Sequence, residues 1–189
     1  MTLKLIQAPA IEPVTLAEAK LAARVDGTEF DALIPGLITT ARRFAEQVLN
    51  RSIIEQTWER VLDAFPDAEL ELGWPKVQGI VSLSYVNTAG ATVNLDSSLY
   101  VLDNDTLPGW LLPADGTAWP DTYDTINAVR VRFLAGYGQE TGTVPEEIKT
   151  YIKAHVALWL RQVEAASDKP MTPVPFLENL LDRERWSWV

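Results

Sequence analysis

The hydrophobic period of this chain changes twice. From Thr15 to Leu49 apolar residues recur every three or four positions, from Ile53 to Ala135 they alternate, and from Pro145 the helical spacing returns. Thr15-Leu-Ala-Glu18 has the form of a capping box, in which Thr15 caps and Glu18 reaches back. It predicts a helix carrying Leu16, Ala19, Leu21, Ala22 and Ala23, closed at Asp26-Gly27 by a left-handed cap. Thr28 then stands where a second helix can be capped. In that helix Phe30, Leu33, Ile34, Leu37, Ile38, Ala41, Phe44, Ala45, Val48 and Leu49 make one stripe, with Arg42, Arg43, Glu46 and Gln47 off it. Pro35 falls inside this pattern and either kinks the helix or marks its true start.

In the alternating stretch, Ile54, Gln56, Trp58, Arg60 and Leu62 oppose Glu55, Thr57, Glu59, Val61 and Asp63. Further runs are 69–72, 77–87, 92–95, 99–102, 110–112 and 127–135, the last with Val129, Val131 and Phe133 on one face. Turn residues separate them, including Asn87-Thr-Ala-Gly90, Asp96-Ser-Ser98, Pro108-Gly109 and Trp119-Pro-Asp121. Short strands at this spacing predict an antiparallel meander or a small barrel-like sheet. After Pro145 one helix face carries Ile148, Tyr151, Ile152, His155, Val156, Trp159, Leu160 and Val163. Residues 167–175 hold three prolines in six positions and read as an extended linker. A last amphipathic piece follows. The whole reads as α+β: a helical core of three main helices, an antiparallel β-rich insert and a C-terminal helical arm. The segments are 1–55 (N-terminal core helices), 56–135 (insert), 136–166 (core helix) and 167–189 (linker and arm).

Composition narrows the function. A chain of 189 residues with 47% hydrophobic and 22% charged side chains can build a core. It has no cysteine, which excludes disulfides and thiolate metal sites. Neither a membrane-length apolar run nor a signal-peptide core is expected from it. The net charge of −10 is uneven: residues 56–135 hold 4 basic and 11 acidic side chains, giving −7. Such a chain lacks the Lys/Arg stripe that grips DNA phosphates.

Candidate chemistry is sparse. A strand, a Gly-rich turn and a helix start follow one another at Val129–Glu147, an order used for phosphate binding. The glycines at 136, 138 and 142 miss the dinucleotide spacing, however, and Glu140, Glu146 and Glu147 would repel phosphate. His155, the one histidine, lies on an apolar helix face and reads as a core residue. Asp103-Asn-Asp105 resembles the start of a calcium loop, but Ala114 stands where the closing glutamate belongs, so an Asx turn fits better. Asp121 and Asp124 are the one candidate acid/base pair, and they would serve a small metal- or carboxylate-dependent hydrolase. No catalytic residue, cofactor site or metal site is assigned.

Two features exceed ordinary packing. Trp74, Trp110 and Trp119 sit beside Pro or Gly at loop edges, where core packing and partner anchoring are both open; the second would suit a monomeric aromatic-loop binding module. The arm after the linker carries Phe176, Leu177, Leu180, Leu181, Trp186 and Trp188. Docking on its own domain is one reading. Docking as a helix in a groove of the portal or of a neighbouring subunit is the favoured one.

Several motifs in order carry a resemblance. They are Pro13-Val-Thr-Leu-Ala-Glu-Ala-Lys20, the second helix ending Val48-Leu-Asn-Arg51-Ser, Gln56-x-Trp58, Leu99-Tyr-Val-Leu-Asp103, Trp119-Pro120, and Val129–Gly138 followed by Val144-Pro-Glu-Glu-Ile148. Across residues 13–165 the chain resembles the head–tail connector (adaptor) proteins of long-tailed bacteriophages and related prophages. Pro35 interrupts the second helix, and Pro108-Gly-Trp-Leu-Leu-Pro113 is the loosest match. The resemblance implies a structural virion part rather than an enzyme, without cofactor and without membrane contact. It implies a homo-oligomeric ring, twelve-fold on the portal protein, assembled in the host cytoplasm and sited in the neck. The ring would join the head to the next neck or tail-completion protein, and genomic DNA would pass through it without specific binding. The C-terminal segment would contact the portal.

Overall fold

The computed structural model describes residues 2–74, 76–164, 180–182, 184 and 185. The chain divides into two units. The first comprises residues 1–9 and 55–137, the second residues 10–54 and 138–189. Within the described residues the structure is α+β, as expected, with antiparallel sheets and three α-helices.

The first unit is built from eight strands among the described residues: β1 (Thr2–Gln7), β2 (Gln56–Leu62), β3 (Leu70–Glu71), β4 (Val77–Val86), β5 (Thr92–Asn94), β6 (Tyr100–Asp103), β7 (Trp110–Pro113) and β8 (Val129–Ala135). Five form one antiparallel sheet in the order β1-β2-β8-β4-β5, and three form another in the order β3-β7-β6. β8 lies at the centre of the larger sheet. Its alternation is strict: Val129, Val131, Phe133 and Ala135 are buried, while Arg130, Arg132 and Leu134 point the other way. The buried side joins Leu70, Leu72 and Leu111 from the smaller sheet and its flanks, with Leu62, Val77 and Leu83, in one apolar cluster. Gly109 permits that approach. It has φ +97°, and a Cβ there would stand 2.9 Å from Val77 Cγ2.

Two features of this unit depart from the sequence reading. Residues 1–55 read as helical, yet Thr2–Gln7 is an edge strand on β2, pairing Lys4 with Glu59 and Leu3 with Arg60. Six residues with two alternating leucines are too short a signal to stand out without the partner strand. A single 3-10 turn, Ser97–Leu99, interrupts the strand-rich stretch, capped by the Asp96 carboxylate accepting from Ser98 N at 2.8 Å.

The second unit contains α1 (Leu16–Ala23), α2 (Ile34–Leu49) and α3 (Glu146–Glu164). The Thr15–Glu18 capping box forms, with Thr15 N donating to Glu18 Oε2 at 2.8 Å and Glu18 N to Thr15 Oγ1 at 3.2 Å. α1 ends earlier than expected, at Arg24 with φ 60°, whose N–H reaches the Leu21 and Lys20 carbonyls. Asp26-Gly27 lies beyond this cap, in a turn whose Gly27 carbonyl accepts from Lys20 Nζ at 2.6 Å. α2 starts at Ile34, so Pro35 occupies the first turn, where a missing N–H costs nothing.

The stripe on α2 is rotated from the one expected. Arg42 and Glu46 are buried, whereas Phe44 is 47% exposed. The cause is an ion network. Arg42 Nη1 lies 2.6 Å from Glu46 Oε2, and its Nε lies 2.7 Å from Glu12 Oε2. Glu46 Oε1 also accepts from Ile53 N at 3.0 Å, which ties the chain leaving α2 back onto the helix. Paired charges can occupy a face that isolated ones cannot. Among the described side chains of α3, the buried ones are Ile148, Lys149, Tyr151, Ile152, Val156 and Leu160.

These burials set two expectations for stability. Phe133→Ala, at a fully buried position, should lower unfolding free energy by about 3–5 kcal/mol. Phe44→Ala, at a half-exposed one, should cost well under half as much. Chemical denaturation of both variants checks the ranking, and equal losses would contradict the placement of Phe44.

Candidate interface surfaces

Trp74 and Trp119 turn inward. Trp119 stacks on Phe65 with centroids 4.9 Å apart and planes 4° from parallel, and its Nε1 donates to the Ala68 carbonyl at 2.6 Å. Phe65 meets Tyr85 edge-on at 5.6 Å. Trp74 packs against Trp58 at 5.0 Å. Both Trp74 and Trp119 are half-buried against the apolar cluster of the first unit. Trp110, also half-buried, stands on β7 opposite Glu71 and Asp103. The structure therefore gives Trp119 a bracing task that uses both its ring face and its N–H.

In the arm, Leu180 is half-buried and Leu181 fully buried, while Glu184 Oε2 lies 3.8 Å from Arg51 Nη1 within the same unit. Phe176, Leu177, Trp186 and Trp188 lie outside the described residues, as does the side chain of Val163. Leu181 is thus covered by its own chain.

The other sequence candidates are not gathered into one site. His155 is half-buried, with Nδ1 3.0 Å from the Tyr151 carbonyl and its ring 4.1 Å from Tyr151, 5.6 Å from Trp159 and 5.9 Å from Phe44. Asp103 is an Asx turn. Its carboxylate accepts from Asp105 N at 3.0 Å and from Thr106 Oγ1 at 2.7 Å, and the Thr106 hydroxyl holds its pKa below the ordinary value. Asp121 and Asp124 are exposed in the loop before β8. The Gly-rich turn leads into a 3-10 turn, Thr141–Thr143, closed by Thr143 Oγ1 donating to the Glu140 carbonyl at 2.7 Å. The first turn of α3 carries Glu146 and Glu147, with Lys149 Nζ on Glu146.

Sequence reasoning passed over a charge cluster on the large sheet. Register aligns Lys4, Glu59, Arg132 and Ser82 in one row across β1, β2, β8 and β4. Glu59 is buried, and its oxygens take Arg132 Nε at 2.7 Å and Arg130 Nη1 at 3.0 Å. Burial of Glu59 works to raise its pKa, but the hydrogen bonds and charges of Arg132 and Arg130 outweigh it, and the net shift is downward. The two guanidinium side chains stay 43% and 49% exposed. The alternation of Arg130 and Arg132 against Val129, Val131 and Phe133 was the available signal. Glu59 joins them only once the β2–β8 register is known.

No protein-family model matches the chain, and no curated protein matches it. Solved structures do. The fold is similar to that of a chain in the neck of an empty gene transfer agent (GTA) particle computed with C6 symmetry, with a TM-score of 0.81 and 20% identity. A chain of the virion of the native GTA particle gives 0.79 at 21% identity. A chain of the neck of the native particle computed with C12 symmetry gives 0.73 at 20% identity. Each comparison covers 100% of this chain and 97% of the other. The fold is therefore that of GTA neck and virion chains along its whole length.

The Glu59 cluster carries a pH signature. Its folded pKa is below the ordinary carboxylate value of 4.5, so the folded state binds the proton more weakly than the unfolded state. The stability this contributes is present above that value and is lost as pH falls through the lower folded pKa. Glu59→Gln should flatten the loss of stability below about pH 4.5 in thermal melts. An unchanged acid slope would show that Glu59 is not held by its arginines.

Proposed function

We propose that this protein is a structural head–tail connector (adaptor) of a phage-like particle. In this reading it assembles as a homo-oligomeric ring in the virion neck, continues the DNA channel and joins the head to the next neck or tail-completion protein. The observation that carries the reading is the fold similarity to GTA neck chains, which covers 100% of this chain and 97% of the others. The role is structural rather than enzymatic. A twelve-fold ring seated on the portal is the expected form, and a neck computed with C12 symmetry is compatible with it. Deleting the gene from the producing strain should leave filled heads and finished tails unjoined, and adding back purified protein should restore joined, infectious or transducing particles. Normal joined particles from the deletion strain would overturn the proposal.

Within that role the C-terminal segment is assigned to the portal, anchored by Phe176, Leu177, Trp186 and Trp188, with Leu180 half-buried and Leu181 buried by its own chain. Removing residues 170–189 would take away the buried Leu181 and confound folding with binding. The cleaner variant is Trp186→Ala with Trp188→Ala. It should keep the wild-type melting temperature and lose roughly 2 kcal/mol or more of portal affinity, measured by co-sedimentation with portal rings. Undiminished binding would assign the contact elsewhere.

A further inference from the structure

The face of the large sheet that carries Lys4, Arg130 and Arg132 inverts the charge of the unit it belongs to. Residues 1–9 and 55–137 hold 5 basic and 12 acidic side chains, giving −7. Three of the five cations share this face, around a single buried carboxylate. Glu59 fixes the arginine heads in place, so little side-chain entropy remains to be lost when a partner binds.

Elsewhere on the unit is a surface of opposite sign with an apolar pair. The loop before β8 exposes Asp121 and Asp124 together with Tyr123 (49%) and Ile126 (77%). Its backbone is held at both ends, by Tyr123 N on the Val86 carbonyl at 2.9 Å and by Asn127 N on Asp63 Oδ1 at 2.8 Å. An acidic, pinned loop and a basic face whose two arginines are pinned by Glu59 are complementary in charge.

We propose that the Lys4/Arg130/Arg132 face receives the 121–126 loop of a second copy of this chain. The inference rests on the ring reading and supplies the contact by which copies join. A ring needs a heterologous interface, in which two different patches of the same subunit meet. Copies that each carry −10 repel unless such a patch pairs with its opposite. Phosphate is the weaker occupant, because three cations around a carboxylate neutralise few phosphates and the rest of the unit repels DNA.

The chain has no cysteine, so a double variant, Lys4→Cys with Ile126→Cys, can be oxidised in assembled particles with no competing thiol from the chain itself. The expected result is a ladder of disulfide-linked multimers beyond the dimer on a denaturing gel, absent from either single variant. Particles that contain the chain but yield only monomers or dimers overturn this proposal and leave the connector reading standing. Particles that lack the chain overturn both. As a second measurement, Lys4→Glu should cut the yield of joined particles several-fold with an unchanged melting temperature, and adding Asp124→Lys should restore it. A DNA duplex shifted by the purified chain at low salt, with the shift lost in Lys4→Glu, would assign the face to phosphate instead and overturn the proposal.

Discussion

The first unit depends on one strand having partners on both sides. β8 pairs over its full length with β2, from Gln56↔Ala135 to Leu62↔Val129, and on its other edge with β4. The β2–β8 contact closes a loop of more than sixty residues, an entropic cost that only a well-buried strand can offset. Val129, Val131, Phe133 and Ala135 provide that burial. Because β2 begins at Gln56 and β8 ends at Ala135, opposite each other in register, the chain enters and leaves the unit at the same end of the sheet. A β unit can then be inserted between helices without disturbing their connection.

Much of this was legible from period alone, because β8 is buried on one side and solvated on the other, the case in which alternation is cleanest. The same holds for the capping box at Thr15 and for Pro35 as a helix start, both written in local chemistry. What the sequence misplaced depended on partners distant in the chain. The α2 stripe turned toward Arg42 and Glu46 because Glu12, thirty residues before Arg42, supplies a second carboxylate. A hydrophobic stripe counts Phe44 as core and Arg42 as surface, and it has no means of knowing that the arginine arrives already neutralised. Likewise β1 becomes a strand only against β2.

The candidate surfaces show the same division. Three tryptophans at loop edges are visible in any reading of the chain, but Trp119 is occupied by Phe65 and the Ala68 carbonyl. Its conspicuous sequence position reflects a need to brace a turn-rich segment. The Glu59 cluster, by contrast, is assembled from residues that look ordinary one by one, an acid and two arginines on strands that begin more than seventy residues apart.

That contrast bears on the proposed assembly of an acidic chain. Buried ion pairs seldom add much net stability against an apolar alternative, so the fold of the unit alone gives little reason for Glu59 beneath two arginines. An apolar residue at position 59 would keep the strand pairing and leave Arg130 and Arg132 free to move. Held rigid, their exposed heads are preorganised for a partner. In a unit of net −7, fixing three of its cations on one sheet face would, in the proposed ring, concentrate the attraction where repulsion between copies must be overcome. The buried carboxylate then organises the positive patch at the cost of one of its charges.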